Sequence, residues 1–480
     1  MRSAFGLPPG TLEGFPSRPT GSLPARSNST LGLSSALFGN AVVGLNLPGQ
    51  RCVPYLPEDR LRTSRDRRLR HIVSYAADSV PYYRDLFRRE RIDPREIRSA
   101  EDLKRLPLID REVVRRDPRR FVSTSRRGRR SIMFLTSGSS GTPLPVFHDP
   151  YSLLANIAHG ERERSVVARL CGKSLGYREL YILYRGSTTE HVWEFYRQHT
   201  FIPVRPKRLL LSILEPIDRV VDALNRFRPE VVISYGSYLD NLFRLLSARG
   251  IRPHPPRMLI YSGDAMTDDG KRLIEDGFGI PVHSIYNAVE AFKIGFSCEE
   301  GTGFHLHEDL CHVRVVTPSG RTADSGERGE VVISNLVNRG SVLLNYRLGD
   351  VASMRGRGCA CGRTLQLLSE LEGRLEDTIF LPDGRFIHPR AVWMVFKRTH
   401  DVLKYQLIQH EFERFELRLV TVDRQAYSGV LQAITSALRD LLGHSATIDC
   451  ERYDDLDTPR GGKFKTVVSL CGPGRPTDDP

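Results

Sequence analysis

Residues able to do chemistry concentrate in two stretches of this chain. The first is Phe134-Leu135-Thr136-Ser137-Gly138-Ser139-Ser140-Gly141-Thr142-Pro143. The apolar residues Ile132, Phe134 and Leu135 lead into it, so it should leave the end of a strand. Glycines let the backbone turn with positive φ and point amides inward, and hydroxyls add donors; together they make a cradle for phosphate oxygens. A plain polar linker has the same composition, so composition alone leaves both readings open. A Walker-type phosphate loop is excluded, because no Gly-Lys-Ser/Thr sequence opens a helix here. The second stretch is Cys359-Ala360-Cys361-Gly362, set in a Gly/Arg-rich turn like a metal knuckle, with Cys298, His305 and His307 upstream. Three thiolates and one imidazole form a tetrahedral zinc set with no open position, hence a structural one. Free thiols are the alternative; a Cys359–Cys361 disulfide would close a strained small ring. The other cysteines, Cys52, Cys171, Cys311, Cys450 and Cys471, follow no spacing and read mostly as small buried apolar residues.

The elements that must carry such groups alternate. Apolar spacing predicts helices over 217–227 and 239–248, and a third that Thr267 caps and that runs to about residue 278. Strands are expected at 230–234, 258–261 and 281–286. Strands alternating with helices imply parallel pairing with right-handed crossovers. Ligands on such sheets bind beyond the C-terminal strand ends. Ser234 to Ser237, Ser262 to Asp264 and Tyr286 to Glu290 all fall at such ends, so they should share one pocket.

Four further motifs follow the Ser/Gly loop in a fixed order. They are Tyr286-Asn287-Ala288-Val289-Glu290, Tyr346-Arg347-Leu348-Gly349-Asp350, Gly373-Arg374-Leu375-Glu376-Asp377 and Pro459-Arg460-Gly461-Gly462-Lys463-Phe464-Lys465. The ordered set resembles the adenylate-forming superfamily, the acyl-CoA ligases and their relatives. Residues 72–84 look like the N-terminal helix of phenylacetate-CoA ligases, as do residues 97–107, and the Gly-Gly-Lys-Phe-Lys ending is similar to that family and its capsule-biosynthesis cousins. The resemblance covers roughly residues 60–470. It implies an α/β fold: a large N-terminal AMP-binding domain of mixed sheets with packed helices over 51–376, and a small α+β lid over 377–475. The lid should rotate between two half-reactions.

The resemblance also implies the chemistry. ATP activates a carboxylic acid, aryl or acyl, to an adenylate with loss of pyrophosphate, and the acyl group passes to coenzyme A. An amine, a carrier protein or a sugar is the alternative acceptor. Thr136, Ser137, Gly138, Ser139, Ser140, Gly141 and Thr142 would grip the phosphates. Glu290 would bind Mg²⁺, a hard cation that takes oxygen ligands. Tyr286 would lie against adenine, beside the Gly263–Asp264 turn. Asp350 would accept from both ribose hydroxyls, since one carboxylate suits a vicinal diol. Arg374 would contact ribose or phosphate. Lys463 is the expected catalytic lysine, neutralising charge as the adenylate forms, with Lys465 the competing choice. Tyr235, Gly236 and Tyr261 are candidates for the acid pocket. For zinc, His305 fits the family's Gly-x-His-x-x-Glu-Asp pattern better than His307, giving Cys298, His305, Cys359 and Cys361. Two departures stand out. Leu144 follows Pro143 where many relatives have Lys, and the Glu290 motif has Val289 where a Thr hydroxyl is common.

Composition agrees. The chain has 480 residues, enough for more than one domain, with 40% hydrophobic and 26% charged residues. No apolar run is long enough for a transmembrane helix, and no secretory signal opens the chain, so a cytoplasmic setting is expected. Residues 1–50, rich in Gly, Pro, Ser and Leu, read as a disordered extension. The net charge of +13 is concentrated between Arg60 and Arg130. No helix-turn-helix, zinc-finger or RNA-binding signature accompanies it, so nucleic acid is not the expected partner. Solvated helix faces, or attraction of ATP and coenzyme A, account for the charge. A non-catalytic basic binding protein is the alternative of a different class; Glu290, Asp350 and Lys463 argue against it.

Overall fold

A computed structural model describes residues 30–125, 128–136, 143–201, 207–317, 319–369, 371, 378–383, 385–396, 399, 401–421, 423–456 and 465–471. The chain opens with helices α1 (Thr30–Asn46), α2 (Glu58–Ser79), α3 (Pro81–Arg89) and α4 (Arg111–Arg116). The β1 (Ile132–Leu135) and β2 (Pro145–His148) strands pair antiparallel on either side of the Ser/Gly loop, Leu135 opposite Pro145. Then come α5 (Pro150–His159), α6 (Glu161–Cys171), β3 (Arg178–Leu183), α7 (Thr188–His199) and β4 (Lys207–Ser212). The expected alternation follows: α8 (Ile217–Phe227), β5 (Val231–Ser234), α9 (Gly236–Ala248), β6 (Met258–Tyr261), α10 (Asp268–Phe278) and β7 (Val282–Ala288). Thr267 caps α10 as its sequence position predicts, its side chain accepting from the Gly270 amide.

Strands β3 to β7 pair in parallel, in the order β4-β3-β5-β6-β7. The sheet continues antiparallel through β8 (Ala291–Ser297), β9 (Phe304–Leu306), β10 (Cys311–Val316), β11 (Arg328–Asn335), β12 (Tyr346–Gly356) and β13 (Leu367–Leu368). The whole is 11-stranded, ordered β10-β11-β12-β13-β9-β8-β7-β6-β5-β3-β4.

The C-terminal part holds a short hairpin, β14 (Ile379–Phe380) and β15 (Phe386–Ile387), then α11 (Pro389–Phe396), β16 (Val402–Glu411), β17 (Arg414–Thr421), α12 (Arg424–Leu442), β18 (Thr447–Arg452) and β19 (Val467–Ser469). Its four-stranded sheet runs β18-β17-β16-β19. One apolar cluster links the two parts: Leu180, Val232 and Leu259 of the parallel strands belong with Val392, Phe396 and Leu407 of the lid. The expected hinge at residues 376–377 lies outside the described residues.

Two expectations need correction. The extension expected to carry no fold over residues 1–50 includes α1, which packs on α5 and α7 and buries Val42 with Leu154, Val192 and Phe195. Gly39 makes that contact close: a Cβ there would sit 1.8 Å from the His199 carbonyl oxygen. The helix forms through this packing, so a weakly amphipathic sequence gave little sign of it. Second, the helical stretch at 72–84 is two helices. Pro81 lacks an amide to continue α2, Val80 is held extended (φ −113, ψ 115), and Pro81 opens α3. Of the lone cysteines, Cys171 and Cys311 are buried as expected, while Cys52 is exposed.

Candidate active site

The C-terminal ends of β5, β6 and β7 open into a cavity of about 1210 Å³, which Trp393, Tyr405 and Thr466 of the C-terminal part also line. Tyr235, Tyr261, Gly263, Asp264, Tyr286, Glu290 and Asp350 all line it. They come from four separate chain segments, three of them at the ends of parallel strands as expected and the fourth, with Asp350, on β12.

At the nucleotide end, the Tyr286 hydroxyl donates to Asp350 Oδ2 at 2.8 Å. Burial, with the carboxylate beside it, holds the Tyr286 phenol well above its ordinary range, so it stays a donor. Asp350, on β12, is thus held by the residue expected to face adenine. Glu290 sits on the tight connection between β7 and β8, only 6% exposed. Burial raises its pKa above the usual carboxylate range, partly opposed by the nearby Arg111 guanidinium. The Tyr346 hydroxyl donates to Glu290 Oε1 at 3.4 Å, and Asn335 Nδ2 donates to the Glu290 carbonyl at 3.0 Å. A buried carboxylate of this kind is primed for a cation, which would restore its charged form.

Thr136 ties the base of the Ser/Gly loop. Its amide donates to the Leu144 carbonyl at 3.0 Å, and its Oγ1 accepts from the Leu144 amide at 3.1 Å. The same Oγ1 accepts from Arg111 Nη2 at 2.9 Å. Ser137, Gly138, Ser139, Ser140, Gly141 and Thr142 lie outside the described residues, as do Arg374 and Lys463. Thr466, three residues beyond Lys463 at the start of β19, lines the cavity.

Asp264 does more than line the cavity. Its Oδ1 accepts from the Gly236 amide at 2.6 Å and its Oδ2 from the Ser237 hydroxyl at 2.7 Å, capping α9. His388 Nε2, from the lid, lies 2.9 Å from the same Oδ2 and 2.9 Å from Ser237 Oγ, and its ring stacks on Tyr235 at 4.7 Å. The turn therefore clamps the two domains together. Gly236 serves this packing: a Cβ there would meet the Ala265 carbonyl carbon at 2.6 Å.

The second cluster is assembled as the spacing suggested. Cys298 follows β8, His305 lies in β9, which pairs with β8, and Cys359 and Cys361 follow β12. The ligand atoms of all four lie within 4.8 Å of one another. Cys298 and Cys359 sulfurs are 3.6 Å apart, and Cys361 Sγ is 3.3 Å from His305 Nε2. Tetrahedral zinc, with bonds of about 2.0–2.3 Å, separates its ligand atoms by roughly 3.5–3.8 Å, so the set fits the ion. His307 is engaged elsewhere: its Nε2 lies 3.1 Å from Glu163 Oε1, which leaves His305 as the imidazole.

Arg111, Tyr346 and His388 were not found from sequence. Tyr346 opens a motif that was read for its Asp350. Arg111 is hidden in an arginine-rich stretch, and His388 gave only the dipeptide His-Pro as a signal.

Comparison with known proteins completes the picture. Residues 379–470 match the family model of the CapK C-terminal domain. A phenylacetate-coenzyme A ligase of Thermus thermophilus is 26% identical over 360 residues, covering 74% of this chain and 79% of that protein. A phenylacetate-coenzyme A ligase of Pseudomonas putida is 23% identical over 86% of this chain and 91% of its own length. In structure, 2-hydroxyisobutyryl-CoA ligase shares the fold at 17% identity, covering 88% of this chain and 91% of its own. The TM-score is 0.57 against its postadenylation state with R3-HIB-AMP and 0.59 against its thioesterification state with 2-HIB-AMP and CoA.

Proposed function

We propose that the chain, an AMP-forming ligase similar to phenylacetate-CoA ligases and with a CapK-type C-terminal domain, joins ATP to an aryl or acyl carboxylate and passes the acyl group to coenzyme A. The observation that carries this reading is the meeting of Tyr286, Glu290 and Asp350 in one cavity with the Asp264 turn. These groups have separate tasks. Asp350, steadied by Tyr286, offers its carboxylate to the ribose hydroxyls, and Tyr286 offers its ring to adenine. Arg111 stands at the base of the Ser/Gly loop, where it can supply positive charge to phosphate oxygens that the missing lysine at position 144 cannot. Lys463, three residues before Thr466 in the chain, would neutralise charge on the reacting carboxylate, and Arg374 would contact ribose or phosphate. Glu290 is the residue to hold Mg²⁺, which when bound neutralises phosphate charge. Tyr235 and Tyr261 face the acid.

Cys298, His305, Cys359 and Cys361 would hold a structural Zn²⁺ that pins β8, β9 and the segment after β12. Metal analysis should find about one zinc per chain, and chelation should lower Tm with the nucleotide site intact. A metal-free protein with unchanged Tm after chelator treatment would remove the zinc assignment. ATP and coenzyme A suit a cytoplasmic enzyme.

The test is pyrophosphate release from Mg-ATP with hydroxylamine present, over a panel of carboxylic acids, with and without coenzyme A. Acid-dependent release that falls about 100- to 1,000-fold in Lys463→Ala supports adenylation by that lysine. Thioester formed on adding coenzyme A supports the acceptor. A hydroxamate without any thioester would move the acceptor to an amine, a carrier protein or a sugar, a reading the CapK-type lid keeps open.

A further inference from the structure

The helix α1 is apolar on both sides. Its 17 residues include no charged one. On one side Val42 is buried with Leu154, Val192 and Phe195. On the other, Leu37, Phe38, Ala41 and Leu45 recur at helical spacing and are exposed, Leu45 to 81%. Leu47, just past the helix, continues the exposed stripe. A helix that is apolar all round is normally covered, because every leucine or phenylalanine left in water forgoes its burial free energy. Among the described residues twelve large apolar side chains are exposed, and four of them lie on this one short stretch. Scattered singly they would need no explanation; gathered on one face they mark an interaction surface.

The rim of this face is positive outwards. Arg51 Nη1 donates to Ser174 Oγ at 3.5 Å and Arg169 Nη2 to the Tyr55 hydroxyl at 2.7 Å, so the connection that leaves α1 runs along α6. Three cations stand beside it: Arg51 with Glu161 at 2.9 Å, Arg169 with Glu299 at 3.1 Å and Lys173 with Glu230 at 2.5 Å. In each pair the acid lies deeper. Lys173 is 48% exposed and Glu230 9%; Arg169 is 55% exposed and Glu299 18%. Each pair is neutral in sum, but it turns its cation outward, and the chain as a whole carries +13. Leu175, next to Ser174, adds an exposed apolar group to the rim.

These charges decide between the two occupants that suit an apolar face. In a two-fold dimer the same patch meets itself, so the outward cations of two basic chains would be brought together. A bilayer with anionic headgroups takes apolar side chains into its acyl boundary and sets phosphates against the cations. We propose that α1 docks the protein on an anionic lipid surface, with Leu37, Phe38 and Leu45 in the acyl boundary and Arg51, Arg169 and Lys173 at the headgroups. Leu47, Arg51 and Leu175 also line the cavity, so docking turns that side of it toward the lipid. Docking does not depend on the adenylation reading, and its test needs no substrate.

The experiment is flotation of the full chain with vesicles of phosphatidylcholine containing about one quarter phosphatidylglycerol, beside vesicles of phosphatidylcholine alone. Binding should be at least about tenfold tighter to the anionic vesicles and should weaken as salt is raised from about 0.05 to 0.5 M. A variant combining Leu37→Ser, Phe38→Ser and Leu45→Ser keeps the net charge, and its affinity for anionic vesicles should fall at least about tenfold. All three side chains are exposed, so its Tm should match the wild type. Leu45→Ser alone should lose about threefold, and it carries the test if the triple variant fails to fold. Arg169→Gln should lose about fivefold. Equal affinity for the two kinds of vesicle would overturn the anionic lipid surface. Undiminished binding by the serine variants would mean charge attraction without α1, and would overturn the docking helix. A dimer in sedimentation equilibrium that the serine variants dissolve, with no vesicle binding, would put a second copy on this face instead.

Discussion

The two ends of the cavity are built in opposite ways. The end proposed for the nucleotide is made of residues that are neighbours in sequence or sit one motif apart: Tyr286 lies near the end of β7 and Glu290 in the turn that follows it, and Tyr346 and Asp350 lie on one strand. The rest of the cavity is lined by alternate residues of strands and by helix faces far apart in the chain, with Tyr181, Ile233 and Trp193 as examples. A common chemistry calls for short invariant groupings close to the reacting phosphates, whereas a specificity pocket can be assembled from any side chains that face inward. The first end therefore speaks about reaction type and the second about substrate.

Breaking the nucleotide end should cost the most. Glu290→Gln keeps the shape and removes the charge that a cation needs; activity should fall about 100-fold. The same change has an opposite effect on stability. The Glu290 pKa is raised in the folded state, chiefly by burial, above its ordinary value of 4.5. The folded protein then binds the proton more tightly than the unfolded chain does, so this group lowers stability as pH rises past 4.5, fully so once pH exceeds the folded value. Glu290→Gln should thus raise Tm of the ligand-free protein at neutral pH and leave it unchanged well below pH 4.5. Thermal melts at the two pH values check it; a lower Tm at neutral pH would contradict the buried, uncompensated carboxylate.

Arg111→Gln comes next. About a tenfold loss in kcat/KM for ATP is expected, with KM for the acid unmoved, because Arg111 serves the loop base and Glu290. A change confined to the acid would place Arg111 in the wrong half of the cavity.

The smallest effect is expected at the domain clamp. His388→Ala removes the contact to Asp264 and Ser237 but leaves their mutual hydrogen bond, so overall turnover should shift by about threefold while acid-dependent pyrophosphate exchange moves less. Equal loss in both half-reactions would mean that His388 supports the nucleotide turn and not the lid.

The same contrast explains what could be read in advance. The alternation from α8 to β7, the cap at Thr267 and the placement of Tyr286, Glu290 and Asp350 follow from local periodicity and strand-end chemistry, which are properties of short windows. The cluster of Cys298, His305, Cys359 and Cys361 was legible in its cysteines and in the Gly-x-His-x-x-Glu-Asp pattern that favoured His305, and the pairing of β8 with β9 and the contact of His307 with Glu163 agree with that choice. The α1 helix was missed because its helicity comes from packing on α5 and α7. Arg111 was missed because nothing local separates it from a dozen other arginines, and the rest of the cavity lining because alternate strand residues carry no sign of which face a cavity will lie on.

The central claim is that one cavity at the ends of β5, β6 and β7 binds ATP and a carboxylic acid for adenylate formation. Its most direct measurement is acid-dependent exchange of labelled pyrophosphate into ATP, without coenzyme A, in the wild type and in Asp350→Asn. The account predicts exchange in the wild type that requires both Mg²⁺ and acid, and a loss in Asp350→Asn that appears mainly in KM for ATP. Exchange that is absent with every acid although ATP binds, or ATP cleavage that yields ADP instead of AMP, would contradict it.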